Sequence, residues 1–170
     1  FYNGAGVGIA DLNNDGLDDI YFAGNQQPNQ LYLNKGDLKF EDISEKAGIN
    51  VNKNWSNGVT FADVNQDGWL DIYVSQGGPY EADRKGNLLF INQQDLTFKE
   101  SAVVYGLADK GISTQSVFFD YDKDGDLDCL VMNENPLYGV DPVNFYKIIG
   151  TRPDLLHESC SHLYQNNSGK

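Results

Sequence analysis

The chain has 170 residues, of which 40% are hydrophobic and 22% charged, a composition typical of a soluble folded domain rather than of a disordered or fibrous chain. Twelve Lys and Arg residues against 25 Asp and Glu give a formal net charge of −13, which repels both nucleic acid and anionic lipid. No segment contains the about 18 consecutive apolar residues that a membrane-spanning helix needs. The many Tyr, Phe and Gly residues favour short strands joined by tight turns, and hence an all-β fold.

The ends and the cysteines add little to this prediction. Cys129 and Cys160 are too few for a disulfide framework and too far apart for a CxxC motif. Because Cys129 begins an apolar run, we expect a buried thiol rather than a bridge. The sequence starts at Phe1 without a leader pattern, so we expect any targeting signal to have been removed or to lie outside this sequence.

An acidic motif, D-x-[DN]-x-D-G-x-x-D, occurs three times along the chain. Its copies cover residues 11–19, 63–71 and 120–128. Apolar residues rich in β-branched and aromatic side chains lie on both sides of each copy, as expected for strands. The first aspartates of successive copies are 52 and 57 residues apart, which is larger than one hairpin and smaller than a domain. The chain is therefore predicted to be an array of repeats.

A second recurring segment supports the same repeat length. It has the pattern Leu, aromatic, any residue, Asn, and its copies end at Asn34, Asn92 and Asn166. In the first two repeats a Phe follows this Asn after six residues and a Gly follows that Phe after eight. Each repeat is thus predicted to have four short strands: before the acidic loop, after it, up to the Asn, and around the Phe. The predicted repeat units cover residues of about 5–50, 57–108 and 114–170, the third being incomplete.

The spacing of the acidic side chains predicts three calcium sites. Oxygen ligands at positions 1, 3 and 5, with Gly at position 6 for a sharp turn, suit Ca²⁺. Position 7 would supply a backbone carbonyl, and position 9 a last carboxylate. The predicted ligands are Asp11, Asn13, Asp15, the carbonyl of Leu17 and Asp19; Asp63, Asn65, Asp67, the carbonyl of Trp69 and Asp71; and Asp120, Asp122, Asp124, the carbonyl of Asp126 and Asp128.

Three alternatives for the acidic loops are less favoured. Ordinary metal-free turns would leave 12 of the 25 acidic residues crowded together without a cation. Mg²⁺ prefers strict octahedral geometry and retains several waters. An EF-hand needs flanking helices and a Glu at position 12, where this sequence has Phe22, Val74 or Val131 between strand-like residues.

These motifs together resemble FG-GAP (VCBS-type) repeats, which form the blades of the integrin α-subunit N-terminal β-propeller and of cartilage acidic protein and its bacterial relatives. The resemblance covers essentially the whole chain. It implies four-stranded antiparallel blades with calcium in the loop between the first two strands, held by the same ligands as above. The family closes its ring with about seven or eight blades, so the resemblance implies a partial propeller here.

The candidate binding surface lies opposite the calcium loops. The number of residues from the acidic loop to the recurring Asn increases from repeat to repeat, and all of the additional residues lie in the connection between the second and third strands. Variable loops on a rigid scaffold often carry function. The third connection, about residues 133–161, presents Tyr138, Phe145, Tyr146, Lys147, Arg152 and His157. The same segment is equally well explained as a structural flap, in which Ile148-Ile149 and Leu155-Leu156 would be buried anchors.

The two histidines, His157 and His162, lie outside the repeated motifs, and we expect them at exposed loop and strand positions. No nucleophile-elbow, HExxH or phosphate-binding Gly motif occurs in the sequence. The leading hypothesis is therefore a non-catalytic, calcium-stabilised propeller segment that recognises protein or glycan. An enzyme acting on sugars, such as a lyase or glycoside hydrolase, is the alternative, and a scaffold subunit of an envelope assembly is a third reading.

The predicted type of calcium site also indicates a compartment. Surface calcium loops of extracellular modules bind with dissociation constants of roughly 10⁻⁴ to 10⁻³ M, a range that cytosolic calcium does not reach. An extracellular, periplasmic or outer-membrane-associated location is therefore expected.

Overall fold

A computed structural model of the chain describes residues 5–25, 27–49, 55–78, 86–135, 137, 140–158 and 160–167. The described part contains eleven strands and two helices. The strands are β1 Val7–Ala10, β2 Asp19–Phe22, β3 Gln30–Asn34, β4 Phe40–Asp42, β5 Ser56–Ala62, β6 Asp71–Gln76, β7 Leu88–Asn92, β8 Phe98–Glu100, β9 Ile112–Phe119, β10 Asp128–Glu134 and β11 His162–Tyr164. The helices are α1 Pro142–Thr151 and α2 Asp154–Glu158.

The strands form three antiparallel sheets in which neighbours in sequence are neighbours in space. Sheet I has the order β1-β2-β3-β4, sheet II has β5-β6-β7-β8, and sheet III has β11-β10-β9. The predicted four-stranded antiparallel arrangement is thus confirmed for the first two sheets, including the short strands that begin at Phe40 and Phe98. In sheet III the described residues supply three strands.

Strand periodicity decides which face of each sheet is buried. In sheet I, Tyr21 and Leu31 point to the buried face, whereas Val7, Ile9 and Phe22 alternate with buried neighbours and lie exposed on the other face. In sheet II both faces are covered, and every residue of β6 and β7 is buried. This follows from its position between the two other sheets.

Two hydrophobic clusters hold the three sheets together. The first joins sheets I and II and includes Tyr21, Leu33 and Phe90. The second joins sheets II and III, where the ring of Tyr73 packs edge-on against that of Phe118 with 5.5 Å between ring centroids. Burial of such apolar surface stabilises the array by about 25 cal/mol per Å². Each sheet therefore depends on its neighbour for a core.

A glycine in β1 allows a close approach between sheets I and II. A Cβ added to Gly8 of β1 would lie 2.6 Å from the ring of Phe61 and 2.9 Å from a methyl group of Val59. No real side chain tolerates these distances, so β1 can only lie this close to β5 because position 8 carries no side chain.

We expect Gly8→Ala to lower the free energy of unfolding by about 1–3 kcal/mol, because overpacking forces the facing side chains out of place. Gly150→Ala is the matched control, since a Cβ there meets nothing within 4 Å and alanine favours a helix. Urea unfolding curves of both variants measure the effect. Equal stability of the two variants would contradict the close packing of β1 on β5.

The long connection between β10 and β11 contains secondary structure that the sequence analysis did not predict. Asp141 caps α1 by accepting hydrogen bonds from the backbone N–H groups of Val143 and Asn144, and Pro142 occupies the first turn. Helix α1 contains no buried residue. No described helix is long and apolar enough to cross a bilayer.

Several details of this connection differ from the predictions. Of the expected buried anchors, Leu155 is buried but Leu156 is exposed, and the Ile148-Ile149 pair is only half-buried, because α1 packs little of its surface against the sheets. His157 lies on α2 rather than in a loop, and His162 on β11 is half-buried rather than exposed. Tyr138 lies outside the described residues. Both cysteines are free thiols, and Cys129 is buried as predicted.

A buried carboxylate ties the end of this connection to the core. Asp109, which lies between β8 and β9, is 4% exposed and accepts hydrogen bonds from His162 Nδ1 at 2.5 Å and from the Tyr164 hydroxyl at 2.8 Å. Its other oxygen accepts from the backbone N–H of Gly111 and from Asn133 Nδ2. Burial by itself raises the pKa of Asp109, but the hydrogen bonds outweigh burial and lower the pKa below 3.8.

The lowered pKa of Asp109 determines in which direction the stability of the fold changes with pH. Ionised Asp109 stabilises the fold above the unfolded-state pKa, and this contribution is lost as the pH falls through the folded-state pKa. Asp109→Asn should cost about 2 kcal/mol near neutral pH, because hydrogen bonds to a charged group are the strong ones. The difference from wild type should shrink below about pH 4 in urea melts, whereas exposed Asp18→Asn should have little effect at either pH. A pH-independent difference would contradict this role.

Candidate metal centre

The three acidic loops connect the first and second strands of their sheets and have the same internal hydrogen bonds. The position-1 carboxylate accepts from the backbone N–H groups of positions 5 and 6, and the position-5 carboxylate accepts from that of position 7. The position-1 distances are 3.2 and 2.8 Å for Asp11, 2.9 and 2.8 Å for Asp63, and 3.2 and 3.1 Å for Asp120. The position-5 distances are 2.9 Å for Asp15, Asp67 and Asp124.

These bonds fold each loop so that its side-chain oxygens face one region. In the third loop, carboxylate oxygens of Asp120, Asp122 and Asp124 all lie within 4.8 Å of one another. The first two loops have Asn13 or Asn65 at position 3, so an amide oxygen takes the place of the middle carboxylate. Carboxylate and amide oxygens on a turn of this kind are the donors that Ca²⁺ prefers, and the residues present therefore fit this ion.

Two positions in each loop require a left-handed backbone. The residue at position 4 has a φ of 57° in Asn14, 59° in Gln66 and 63° in Lys123. The glycine at position 6 has a φ of 84° in Gly16, 86° in Gly68 and 95° in Gly125. Glycine adopts this conformation without steric cost, which explains its recurrence in the motif.

The aspartate at position 9 differs from the other acidic residues because it is buried. Asp19, Asp71 and Asp128 are each 1% exposed. One oxygen accepts from the backbone N–H of position 2. The other accepts from the backbone N–H of the recurring Asn, which ends the third strand in sheets I and II and follows β11 in sheet III. These distances are 3.1 and 2.8 Å for Asp19, 3.0 and 2.8 Å for Asp71, and 2.9 and 2.8 Å for Asp128.

Burial has an electrostatic consequence for Asp71 and Asp19. It raises the pKa of Asp71 to about 6, in spite of the two backbone hydrogen bonds, and the negative charges of Asp67 and Asp63 add to the rise. Burial also raises the pKa of Asp19. A cation beside either carboxyl would favour the ionised form and reverse this effect.

The recurring Asn closes the loop from the other side, a role that its sequence pattern alone did not reveal. Asn34 Nδ2 donates to the carbonyl of Asp18 at 2.9 Å, and Asn92 Nδ2 donates to the equivalent carbonyl of Leu70 at 3.1 Å. Asn92 Nδ2 also lies 2.8 Å from the carbonyl of Leu12 in the first loop. The Asn therefore holds the end of the third strand against the acidic loop.

Neighbouring loops also contact one another, which the sequence analysis did not predict. Asn14 Nδ2 donates to the carbonyl of Gly68 at 3.2 Å, and Gln66 Nε2 donates to the carbonyl of Gly125 at 3.0 Å. Gln66 Nε2 also donates to a carboxylate oxygen of Asp126 at 2.9 Å. In both cases a position-4 amide binds the position-6 glycine of the next loop. The signal for these contacts is an amide side chain at position 4 of the first two copies.

Comparison with known proteins agrees with this geometry. Residues 11–74 match the model of the FG-GAP-like repeat family. The chain is 35% identical over 81 residues to Cartilage acidic protein 1 of Xenopus tropicalis, covering 47% of this chain and 12% of that protein. It is 34% identical over 106 residues to Integrin alpha-8 of Gallus gallus, covering 54% of this chain and 10% of that protein.

Cartilage acidic protein 1 of Homo sapiens is also similar, with 33% identity over 81 residues, 47% of this chain and 12% of that protein. The matched part of the chain thus spans only about a tenth of the length of these relatives. The resemblance to FG-GAP repeats that the sequence motifs indicated is confirmed, and the family model matches it over residues 11–74.

The two kinds of aspartate in a loop should respond differently to a chelator. Asp71→Ala should lower the free energy of unfolding by about 1–3 kcal/mol even in EDTA, because it leaves the backbone N–H groups of Val64 and Asn92 without an acceptor. Asp67 is exposed, so Asp67→Ala should have little effect in EDTA. Chemical unfolding of both variants without metal measures this, and equal losses would contradict a separate structural role for Asp71.

Proposed function

We propose that this chain is a calcium-binding, non-catalytic segment of an FG-GAP β-propeller in an extracytoplasmic protein, and that it presents a recognition surface for protein or glycan. The observation that carries the proposal is the threefold recurrence of one loop geometry that gathers acidic oxygens at the same end of each sheet. Non-catalytic recognition is further supported by the names of the relatives, an integrin and a cartilage protein.

The first part of the proposal is that each loop binds one Ca²⁺. The ligands would be the side chains at positions 1, 3, 5 and 9 and the carbonyl at position 7. In the third loop these are Asp120, Asp122, Asp124 and Asp128, with the carbonyl of Asp126. The proximity of three carboxylates there supports this assignment, because such an arrangement is repulsive without a cation. The buried position-9 oxygens each accept one backbone hydrogen bond, which leaves a lone pair for an ion.

The second part is that the three sheets are propeller blades. They pack face to face in sequence order, as blades do. The outer faces of the terminal sheets remain apolar and exposed, with Val7 and Ile9 on sheet I and Met132 and Leu163 on sheet III. Exposed apolar sheet faces of this kind are normally covered, and further blades on both sides would cover them.

The third part is that the end opposite the calcium loops recognises a partner. The connection between β10 and β11 leaves the sheet at that end, and its helix α1 buries no residue. Val143 and Tyr146 on α1 are 64% and 75% exposed. A helix that projects apolar side chains into solvent on a rigid scaffold is suited to binding a protein or a glycan, since aromatic residues are enriched at such interfaces.

An extracytoplasmic location follows from the same loops. Each site lies in a hairpin loop whose position-5 aspartate is exposed, and surface sites of this kind are typical of extracellular modules with dissociation constants of roughly 10⁻⁴ to 10⁻³ M. Such sites fill only where calcium is abundant, outside the cytoplasm.

Calorimetric melting tests the calcium part directly. Ions that bind the folded loops and not the unfolded chain stabilise the fold by RT ln(1 + [L]/Kd) for each site, about 2.7 kcal/mol at a hundredfold excess over Kd. We therefore expect EDTA to lower the melting temperature and millimolar Ca²⁺ to restore it. An unchanged melt would refute calcium binding by these loops.

A pair of variants localises the effect. Asp67→Ala should remove one Ca²⁺ from the stoichiometry measured by isothermal titration calorimetry, because it deletes a predicted ligand of the second loop. Asp18→Ala is the matched control, since Asp18 is exposed in the first loop but lies outside the ligand pattern. Loss of an ion in Asp18→Ala, or none in Asp67→Ala, would contradict the ligand assignment.

A further inference from the structure

A pair of imidazoles lies away from the acidic loops, near the end of the connection between β10 and β11. The rings of His157 and His162 are 4.6 Å apart between centroids and are tilted by 42°. His157 is exposed at the end of α2, whereas His162 is half-buried at the start of β11.

The carboxylate of Asp109 fixes the orientation of one ring. His162 Nδ1 lies 2.5 Å from Asp109 Oδ2, so in the neutral ring the Nδ1 proton is donated to this carboxylate and the lone pair lies on Nε2. Asp109 is itself held by the hydroxyl of Tyr164 and the backbone N–H of Gly111. The ring of His162 is therefore positioned by groups that have little freedom to move.

The other nitrogen of His162 lacks a partner. Nε2 is buried and makes no hydrogen bond among the residues that the structure describes. Buried polar atoms nearly always make a hydrogen bond, so the lack of one at Nε2 requires an explanation. A histidine that donates from one nitrogen to a carboxylate and offers the other to an ion is the arrangement found at most histidine metal sites.

We propose that His157 and His162 together bind a late first-row divalent metal ion, with Zn²⁺ as the representative. Imidazole nitrogens suit such ions, with a distance of about 2.0–2.1 Å from nitrogen to Zn²⁺. Two imidazoles on one ion must lie side by side, and the centroids of these two rings are 4.6 Å apart. Cys160 lies between the two histidines in sequence, but its thiol bonds to the carbonyl of Leu156, and the two imidazoles are the protein ligands of this site.

The ion would join the end of α2 to β11. It would thereby anchor the connection that carries the exposed helix α1, and the net charge of −13 favours the accumulation of any cation near the protein. The site is independent of the acidic loops and does not rest on calcium binding.

Titration of the full chain with Zn²⁺, in saturating Ca²⁺, tests the proposal by isothermal titration calorimetry. We expect one Zn²⁺ to bind per chain. His157→Ala should weaken binding by at least about tenfold, since even the loss of an outer-sphere partner typically costs 10- to 100-fold. Because His157 is exposed, this variant should keep the wild-type melting temperature in Ca²⁺ without Zn²⁺. His162→Gln should also lose Zn²⁺.

Two control variants exclude other Zn²⁺ sites. Asp122→Asn removes a carboxylate from the acidic cluster of the third loop, and Cys160→Ser removes the nearby thiol; both should bind Zn²⁺ as wild type does. The proposal is overturned if no Zn²⁺ binds in saturating Ca²⁺, if His157→Ala binds as tightly as wild type, or if binding is lost only in one of the controls.

Discussion

The buried aspartate at the end of each acidic loop connects the loop to its sheet. Asp19, Asp71 and Asp128 use both carboxylate oxygens to accept backbone hydrogen bonds, one from the start of the loop and one from the end of the third strand. The loop is thus closed on itself and attached to a strand that follows much later in sequence. Charge-assisted hydrogen bonds of this kind are about twice as strong as neutral ones, and they fix the loop geometry before any ion binds.

In the second loop this aspartate also imposes an electrostatic constraint. Burial raises the pKa of Asp71, which means that the ionised carboxylate is costly in the absence of a cation. The two hydrogen bonds that Asp71 accepts from backbone N–H groups partly offset this cost and hold the turn between the first two strands. Calcium, as proposed, would convert an unfavourable cluster of charges into a stabilising site, so that loop geometry and metal binding would support each other.

Contacts between the sheets connect each acidic loop and each sheet to the next one in the array. Amide side chains of Asn14 and Gln66 link successive acidic loops, and the hydrophobic clusters join successive sheets over most of their inner faces. Each sheet alone would expose one apolar face, so the fold is stable only as a stack. At the opposite end, Asp109 holds the connection between β10 and β11 in place, and helix α1 of this connection buries no residue.

Much of the fold was predictable because it follows local rules. The β-branched and aromatic residues beside each repeated motif predict the strands, and the spacing of acidic residues and glycine predicts the acidic loops. Phe40 and Phe98 locate the fourth strands of their sheets, as the sequence indicated. These features depend on residues close in sequence, so the sequence pattern is sufficient to predict them.

The helices α1 and α2 were not predicted, although Asp141 and Pro142 are typical N-cap and first-turn residues. Helix α1 buries no residue, so it has no core-facing apolar stripe of the kind by which helices are usually recognised. Leu156 was expected to be a buried anchor, yet it lies exposed beside buried Leu155.

The sequence by itself determined the repeat, the strands and the acidic loops with their oxygen-bearing side chains, since each arises from neighbouring residues. Only the tertiary structure decided that Asn92 contacts Leu12, that Gln66 contacts Gly125, and that Asp109 and the two histidines meet at one place. These residues are far apart in the chain, or separated by a connection without a repeat pattern. Only the packing of one sheet on the next brings them together.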